Sequence, residues 1–424
     1  MKNIFVFPCG SEIALEIARS LKDSTHFHLI GGSSVADHGR FVFADIEENL
    51  PWESDSNFIP AIHEIVARRN IELIYPAMDS SIVRLKTAES ELGCRVVGSE
   101  LATTEICLSK SKTYHALNRD VRVPALYAPD NVPNYPVFCK PDVGYGSRGA
   151  AKINSANELE IHLKKHPASL ICEYLDGAEY TVDCFTDRHG ELLFCGPRVR
   201  SRIMNGISVN TYPVSSHERA DFIKIADAIN KKIRFRGAWF FQLKRSSSGE
   251  LVLLEIAARL GGSSALFRGL GVNFAELSIW DALNGDVSIV CNDYPIEMDR
   301  ALDNRFKLSL NYDEVFIDYD DTVILEKKYY NTDVMKFLYQ CKNRGVKISL
   351  LSRHKGDIES ELKRFSLDVL FDRVIHLQRE EKKSDYIKNP NAIYIDDSFA
   401  ERREVSENCN ISVFSVEMIP VLID

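Results

Sequence analysis

The chain has 424 residues, 45% of them hydrophobic and 27% charged, with a formal net charge of −9 at pH 7. At roughly 150 residues per domain, this length predicts two to four structural units, and the negative charge argues against a general nucleic-acid surface. No apolar run approaches the roughly 18 residues of a membrane span, and residues 1–8 lead into a short apolar run without a cleavage site, so we expect a cytoplasmic protein with no membrane partner.

Residues 1 to about 110 alternate strand-like apolar runs with helical periodicity. The runs and the helical spacing lie at residues 4–7, at Ile13, Ile17 and Leu21, at residues 28–31 and at residues 73–75. This alternation predicts a parallel sheet flanked by helices. The Pro-Cys-Gly-Ser segment at residues 8–11 lacks the full G-x-G-x-x-G fingerprint, so we expect a structural strand-to-helix turn rather than a dinucleotide site.

The segment from about residue 120 to 300 is rich in strand and turn signals. The Ser-Ser-Ser-Gly stretch at residues 246–249 predicts a hairpin connection. The polar stretch at residues 292–305 then predicts a linker. From Glu314 a new βαβ series predicts a second, smaller α/β domain of about 110 residues.

Ten cysteines are spread singly along the chain, with no C-x-x-C pair and no Cys/His cluster at metal-ligand spacing. Cys139, Cys172 and Cys184 lie within apolar, strand-like runs. We therefore expect these three residues to be small buried hydrophobic side chains.

A lysine and a glycine-rich stretch, KPDVGYGSRG at residues 140–149, follow the apolar residues Val137 and Phe138. Its glycines allow main-chain N–H groups to come close to phosphate oxygens, and Ser147 adds a hydroxyl donor. Alone, the pattern also fits a glycine-rich hairpin with solvated charges. Segments further along the chain favour phosphate binding over this hairpin.

These later segments are ICEYLDGAEYTVD at residues 171–183 and Gln242 followed by EIAAR at residues 255–259. With them, and with LSKSKTY at residues 108–114, the chain up to about residue 300 resembles the ATP-grasp superfamily. The similarity is greatest to its carbamoyl-phosphate-synthase-like and carboxylate–amine ligase branches.

The ATP-grasp resemblance implies a set of site residues. The implied ATP contacts are Lys110, Lys140, Gly146 and Ser147 at the phosphates, Glu173, Tyr174 and Leu175 at the adenine edge, and Glu179 at the ribose. Gln242 and Glu255 would hold Mg²⁺, with Mn²⁺ as an alternative ion, since magnesium prefers hard oxygen ligands. Ala257 stands where the family often has Asn, which leaves open whether one or two metal ions bind. Arg259 would neutralise the transferring group.

The mechanism that the resemblance implies begins with attack of a substrate carboxylate on the γ-phosphate of ATP. The products are an acylphosphate and ADP, and an amine then displaces the phosphate. Arg198, Arg200 and Arg202 alternate along one predicted strand. They would either hold an acidic substrate or form a solvated strand edge, and we favour the solvated edge.

The C-terminal series carries closely spaced acids at strand ends. VFIDYDDT at residues 315–322 and AIYIDD at residues 392–397 each end in acids, and the strand-like run between them ends in Ser352. Repulsion makes such clustering costly unless a cation is present, so the acids predict a Mg²⁺ site. With Lys382 and Lys383, this series resembles the four motifs of the haloacid dehalogenase superfamily over residues 311–424.

This second resemblance implies phosphatase chemistry. The implied roles are nucleophile for Asp318, general acid for Asp320, phosphoryl binding for Ser352 and Lys383, and metal ligands for Asp318, Asp320, Asp396 and Asp397. Lys382 is the alternative for the lysine role. The short intervals between the motifs leave no room for a cap domain, so we expect an open site.

We therefore expect a multidomain α/β and α+β protein. Its predicted parts are a pre-grasp α/β domain at residues 1–108, an ATP-grasp domain at residues 109–300 and a capless, HAD-like Rossmannoid domain at residues 311–424. The predicted function is bifunctional: an ATP-dependent carboxylate–amine or ammonia ligase fused to a Mg²⁺-dependent phosphatase. Its partners would be small-molecule carboxylates and amines and a phosphorylated substrate, and a homodimer is left open. The alternatives are an ATP-grasp kinase coupled to the phosphatase and a nucleotide-sensing interaction protein.

Overall fold

The computed structural model describes residues 1–144, 146, 148–302, 306 and 308–423. It divides into two compact units, Met1–Leu302 and Asp303–Asp424. Among the described residues, no helix combines the length and apolarity needed to span a bilayer.

The first unit begins with a five-stranded parallel sheet in the order β3-β2-β1-β4-β5. Its strands are β1 (Lys2–Phe7), β2 (Phe27–Gly32), β3 (Asp45–Glu47), β4 (Ile71–Pro76) and β5 (Arg95–Val96). The accompanying helices are α1 (Glu12–Leu21), α2 (Phe58–Arg69), α3 (Asp79–Thr87), α4 (Glu89–Leu92), α5 (Leu101–Leu108) and α6 (Lys110–Leu117). The predicted parallel sheet with flanking helices is present.

The turn between β1 and α1 is structural. Ser11 caps α1 by accepting a hydrogen bond from the Ala14 backbone N–H at 3.1 Å, which satisfies one of the free donors of the first helical turn. A Cβ on Gly10 would lie 1.8 Å from Oδ2 of Asp37. The Asp37 carboxylate therefore fills the space beside this turn, where an anionic phosphate would be repelled.

A four-stranded antiparallel sheet follows in the order β6-β9-β7-β8. Its elements are β6 (Leu126–Tyr127), β7 (Val137–Pro141), β8 (Ala151–Ile153), α7 (Ala156–Lys165) and β9 (Ser169–Glu173). Cys139 and Cys172 are buried in this sheet and Cys184 is buried in the next, as predicted, and all ten cysteines are free.

A six-stranded antiparallel sheet completes the first unit in the order β14-β13-β10-β11-β12-β15. Its strands are β10 (Glu179–Thr186), β11 (Leu192–Met204), β12 (Ile207–Pro213), β13 (Gly237–Arg245), β14 (Leu251–Ala257) and β15 (Met298–Asp299), and its helices are α8 (Arg219–Lys232), α9 (Ala265–Arg268) and α10 (Phe274–Ala282). One face is apolar: Val182 and Phe241 are fully buried in a cluster that includes Phe222 of α8. The opposite face is therefore free to carry polar side chains.

Two connecting segments near this sheet were predicted from the sequence, one as a hairpin and one as a linker. The hairpin at residues 246–249 joins β13 to β14, as predicted. The linker prediction for residues 292–305 is wrong in part, because Met298 and Asp299 pair with Thr211 and Asn210 of β12. Backbone pairing, which the polar composition of this stretch does not reveal, makes those two residues a strand.

The second unit is built on a five-stranded parallel sheet in the order β20-β19-β16-β21-β22. The strands of this sheet are β16 (Glu314–Ile317), β19 (Lys347–Ser352), β20 (Arg373–His376), β21 (Ala392–Ile395) and β22 (Ser412–Phe414), while β17 (Ile324–Leu325) and β18 (Tyr329–Tyr330) form a separate antiparallel pair. The helices of the unit are α11 (Thr332–Asn343), α12 (Ile358–Arg364), α13 (Phe399–Cys409) and α14 (Ile419–Leu422). Strand β16 lies between β19 and β21. Because parallel strands end at the same edge, residues that follow these three strands meet there.

Candidate functional site

The polar face of the six-stranded sheet carries a row of cross-strand neighbours. Gln242 of β13 lies directly opposite Glu255 of β14 and Thr181 of β10, and Thr181 lies opposite Arg198 of β11. Cross-strand partners point to the same face of a sheet. The predicted metal ligands Gln242 and Glu255 are therefore adjacent, although their metal role stays a prediction.

Lys140, at the end of β7, is a buried cation at this face. The residue is only 8% exposed. Its ammonium donates to the Tyr114 hydroxyl at 2.7 Å and to the Leu254 carbonyl at 3.1 Å. Both acceptors are uncharged. Burial lowers the pKa of Lys140, partly offset by the negative charge of Glu255.

Lys110 is a second cation beside the same carboxylate. Its Nζ lies 3.8 Å from Oε2 of Glu255 and donates to the Gly144 carbonyl at 3.3 Å. Asp142 fixes the helix that carries it, because its carboxylate accepts from the Ser111 N–H at 2.7 Å and from the Ser109 hydroxyl at 2.8 Å. Burial alone would raise the pKa of Asp142, but these hydrogen bonds lower it.

The glycine-rich loop uses the conformations that favour glycine. Gly146 and Gly149 have φ angles of +61° and +72°, in the left-handed region that residues with a Cβ adopt rarely. Among the described residues, the nearest atom to a Cβ on Gly146 would be the Asn205 carbonyl oxygen, at 4.0 Å. Ser147, a predicted phosphate contact, lies outside the described residues.

The predicted adenine and ribose residues already have partners. Glu173 accepts from Nη2 of Arg122 at 2.9 and 2.7 Å and from the Ala125 N–H at 2.9 Å. Its carboxylate therefore anchors the end of β9, and only the backbone around it is left for an adenine edge. Leu175 is buried, whereas Tyr174 is half-buried and stacks against the Lys152 ammonium at 4.4 Å.

Glu179, the predicted ribose acceptor, lies between two cations. Its Oε1 is 2.8 Å from Nε of Arg200, and its Oε2 is 3.9 Å from Nζ of Lys244. These contacts fix the carboxylate at the start of β10. A ribose hydroxyl would have to share it with the two cations, so the ribose role stays a prediction.

Arg259, predicted to neutralise the transferring phosphoryl group, is paired with an acid. Its Nε and Nη2 donate to the two carboxylate oxygens of Asp79 at 2.9 and 2.7 Å, and its guanidinium lies 5.3 Å from the Phe240 ring centre. A role in catalysis would require it to leave Asp79 in part. No local sequence pattern predicts this pair, since 180 residues separate the partners.

The three alternating arginines of β11 differ from the favoured prediction of a solvated edge. Arg198 is fully buried and donates to Asp183 at 2.6 Å. Arg200 is buried against Glu179, and only Arg202 is exposed. A bulge in the β11–β12 pairing between residues 200 and 203 accompanies this change of environment, so the solvated-edge prediction is wrong for two of the three.

The residues on this face fit a nucleotide and a divalent cation. The buried Lys140 ammonium has neutral acceptors, so it can compensate an incoming phosphate without losing an ion pair. Glu255 offers one carboxylate and Gln242 one amide oxygen, both hard ligands of the kind that Mg²⁺ accepts. Ala257 offers no ligand at the third position.

The first unit is similar to known ATP-grasp proteins and ligases. The family described as "ATP-grasp in the biosynthetic pathway with Ter operon" matches residues 165–301. The D-alanine–D-alanine ligase of Fusobacterium nucleatum is 27% identical over 184 residues, which are 40% of this chain and 62% of the ligase. Within the first unit, the similarity to ATP-grasp proteins therefore rests on residues 165–301 and on this ligase.

Solved structures show the same ATP-grasp fold. Biotin carboxylase from Campylobacter jejuni, in a β-γ-ATP complex, superposes with a TM-score of 0.59 at 18% identity over 69% of this chain and 74% of the carboxylase. N5-carboxyaminoimidazole synthetase from Staphylococcus aureus, complexed with ADP, gives 0.59 at 17% identity over 71% and 82% of the two chains. Both of these solved structures contain an adenine nucleotide. The chain matches about three fifths of the length of the D-alanine–D-alanine ligase.

The second unit gathers its predicted residues at one edge of its parallel sheet. Lys383 donates to Oδ1 of Asp318 at 2.7 Å and to Oδ2 of Asp396 at 2.6 Å. Ligand oxygens of Asp318, Asp396 and Asp397 lie within 4.8 Å of one another. Ser352 ends β19 and hydrogen-bonds Asp318. These contacts join residues that are up to 79 positions apart in the sequence.

The protonation of this cluster follows from burial and charge. Burial raises the pKa of Asp318 to about 6, with Lys383 lowering it and Asp396 raising it. Burial alone would lower the pKa of Lys383, but the two carboxylates raise it overall. Lys383 therefore stays charged and holds the acids together.

One residue of the predicted metal set, Asp320, has a side chain outside this group of acids. The carboxylate of Asp320 is not part of the group formed by Asp318, Asp396 and Asp397. It contacts Nδ1 of His354 instead, at 3.1 and 3.0 Å. The acids of the group supply hard oxygen ligands close together, which fits Mg²⁺.

Sequence reasoning missed three residues around this cluster. Thr322 accepts from the Asp397 N–H at 3.0 Å, and the buried Tyr394 hydroxyl donates to Asp396. His354 contacts Asp320. Thr322 lies four residues after Asp318, within the acidic motif at residues 315–322, so the sequence could have indicated it. Tyr394 and His354 come close to the acids only through the arrangement of strands in the sheet.

Proposed function

We propose that the protein is a bifunctional enzyme. Its first unit would join a small-molecule carboxylate to an amine or ammonia with ATP, and its second would hydrolyse a phosphomonoester with Mg²⁺. The domain boundaries proposed with it are residues 1–108, 109–300 and 311–424, the last as a capless, HAD-like domain.

The buried Lys140 ammonium with its two neutral acceptors carries the ligase proposal. Such a cation is stabilised when an anion arrives, and Lys110 lies beside the same carboxylate, Glu255. Two lysines can therefore compensate the phosphates of ATP. The D-alanine–D-alanine ligase, by its name a ligase of two amino acids, also supports a carboxylate and an amine as substrates.

The proposed reaction converts a poor acyl donor into a good one. A substrate carboxylate oxygen bonds to the γ-phosphorus of ATP, the bond to ADP breaks, and the amine then displaces phosphate from the acylphosphate. Lys110 and Lys140 orient the phosphates and compensate their charge. Glu255 and Gln242 would hold Mg²⁺, which when bound supplies further charge neutralisation.

The test of the ligase is trapping with hydroxylamine. The full chain is incubated with Mg²⁺, ATP, hydroxylamine and pools of amino acids and other carboxylates. An acylphosphate gives a hydroxamate together with ADP, whereas the stable phosphate ester of a kinase gives ADP alone. ATP binding without either product would instead support nucleotide sensing.

A matched pair of variants ties the activity to the site. Lys110→Ala should weaken ATP binding about 10- to 100-fold, because a hydrogen bond to a charged group contributes about 1.5–3 kcal/mol. The exposed Lys112, on the same helix, is the control, and Lys112→Ala should leave the affinity unchanged. Equal affinity in both variants would remove Lys110 from the site.

The phosphatase proposal is carried by Lys383 between Asp318 and Asp396, with Asp397 alongside. An Asp318 oxygen would bond to phosphorus as the ester oxygen leaves, and Ser352 and Lys383 would hold the phosphoryl oxygens. Asp320 would protonate the leaving oxygen and then take a proton from the water that releases phosphate. Asp318, Asp396 and Asp397 would hold Mg²⁺, which when bound neutralises charge on the phosphoryl group.

The test of the phosphatase is hydrolysis of p-nitrophenyl phosphate by the full chain with and without Mg²⁺. We expect turnover that requires Mg²⁺. An absence of turnover across a panel of phosphomonoesters would refute this half of the proposal and leave the ligase half untouched.

A further inference from the structure

His354 is a buried histidine in contact with one acid of the second unit. Its side chain is 8% exposed, and that of Asp320 is 37% exposed. Nδ1 of His354 lies 3.1 Å from Oδ1 and 3.0 Å from Oδ2 of Asp320. An Asp320 oxygen can accept a hydrogen bond whether the carboxyl group is ionised or protonated, so the His354 tautomer with a proton at Nδ1 can donate to it in both states.

The position of the imidazole is fixed from several sides. The Tyr319 ring packs edge-on against it, with ring centres 5.3 Å apart and an angle of 84°. The His354 backbone carbonyl is 2.8 Å from Nε2 of His376, and the preceding residue, Arg353, contacts Glu401. A donor held in this way limits the orientations of the carboxylate that it contacts.

We propose that His354 is a positioning residue that orients the carboxyl group of Asp320 toward the leaving oxygen of a phosphomonoester. The inference rests on the phosphatase activity proposed above. Nδ1 lies within hydrogen-bond distance of both Asp320 oxygens, and donation to either one leaves the other to carry the transferred proton. His354 itself neither gains nor loses a proton and does not touch the substrate.

The proton transfer from Asp320 to the leaving oxygen depends on this orientation. The bond between Asp318 and phosphorus forms while the bond from phosphorus to the ester oxygen breaks, and the ester oxygen takes the proton from Asp320. Asp320 is left as a carboxylate that still accepts from His354. It then removes a proton from the water that attacks the aspartyl phosphate, so phosphate leaves and Asp320 is protonated again.

The test uses two esters of nearly equal size that differ in leaving group. Phenyl phosphate releases a basic phenolate that needs protonation, and p-nitrophenyl phosphate releases a much less basic one that does not. In the full chain, His354→Ala should lower kcat about 30-fold or more for phenyl phosphate and less than about threefold for p-nitrophenyl phosphate, with KM unchanged. A general structural defect would lower both rates equally.

Two conservative variants locate the atom responsible. The side-chain amide nitrogen of Asn can occupy the place of Nδ1, whereas that of Gln reaches the place of Nε2. His354→Asn should therefore restore most of the phenyl phosphate activity, and His354→Gln should not. In an Asp320→Asn background, His354→Ala should have no further effect, because the group it positions can no longer supply a proton.

The outcomes separate this inference from the proposal beneath it. Hydrolysis that requires Asp318 but falls equally for both esters in His354→Ala overturns the positioning role alone, as does equal rescue by Asn and Gln. If the wild-type chain hydrolyses neither ester, the phosphatase proposal and this inference fail together. Thermal melting of each variant confirms that the compared proteins are folded.

Discussion

The two units each bury a lysine at their candidate site, and they do so in opposite ways. The Lys140 ammonium donates to a hydroxyl and a carbonyl, and burial lowers its pKa. The Lys383 ammonium bridges two carboxylates, which raise its pKa despite burial. The Lys140 ammonium is hydrogen-bonded to neutral acceptors and can compensate the charge of an anion. The Lys383 ammonium is already paired with two carboxylates of the protein.

The largest expected effect concerns Asp318, the proposed nucleophile of the second unit. Asp318→Asn should reduce hydrolysis of p-nitrophenyl phosphate at least about 10³-fold, because the amide is a much weaker nucleophile of nearly the same shape. ATP binding should be unchanged. The exposed Asp368 provides the control, and Asp368→Asn should hydrolyse the ester normally. Persistent hydrolysis in Asp318→Asn would remove the assigned nucleophile.

Matched replacements of the two buried lysines test the comparison directly. Lys383→Met should destabilise the second unit by about 3 kcal/mol or more, because it leaves two buried carboxylates unpaired. Lys140→Met should change the stability of the first unit by less than about 1 kcal/mol, because methionine fills the space without a desolvated charge.

The measurement is hydrogen–deuterium exchange followed on peptides from each unit, which reports their stabilities separately. The exposed Lys382 is the control for Lys383, and Lys382→Met should leave exchange unchanged. If Lys140→Met lost as much protection from exchange as Lys383→Met, the two buried lysines would not differ in their contribution to stability, contrary to our expectation.

Binding of Mg²⁺ should stabilise the folded second unit. At about 30 times its dissociation constant, Mg²⁺ should stabilise the second unit by about 2 kcal/mol, since it binds the folded state. Asp397→Asn should remove this stabilisation, because it takes away one carboxylate of the group around Asp318. Protection that is insensitive to Mg²⁺ in the wild-type chain would argue against a metal site there.

The smallest effect is expected for an exposed cation of the first unit. Arg202 lies 2.5 Å from Asp299, but their side chains are 56% and 48% exposed. Such surface pairs contribute about 0–1 kcal/mol, so Arg202→Ala should alter the denaturation midpoint only slightly. Arg198→Ala, which leaves Asp183 buried without its cation, should lower it strongly. Similar decreases of the denaturation midpoint in the two variants would mean that burial does not decide how much an ion pair contributes to stability.

Much of the fold follows from the sequence. The helix through Ile13, Ile17 and Leu21 and the strands that precede Asp318 and Asp396 lie where periodicity and apolar runs predict them. Periodicity is informative because a regular element must turn one face to the core. β15 was missed, since two residues carry no periodic pattern and are defined only by pairing with β12.

The sequence by itself determined which residue types are available for chemistry, namely the lysine before the glycine loop, Glu255, and the acids after β16 and β21. The tertiary structure decided which of them are neighbours: Asp79 with Arg259, Asp183 with Arg198, and His354 with Asp320. These contacts depend on strand order and register, which bring together residues distant in the chain. Local sequence fixes only the direction in which each side chain leaves its own element.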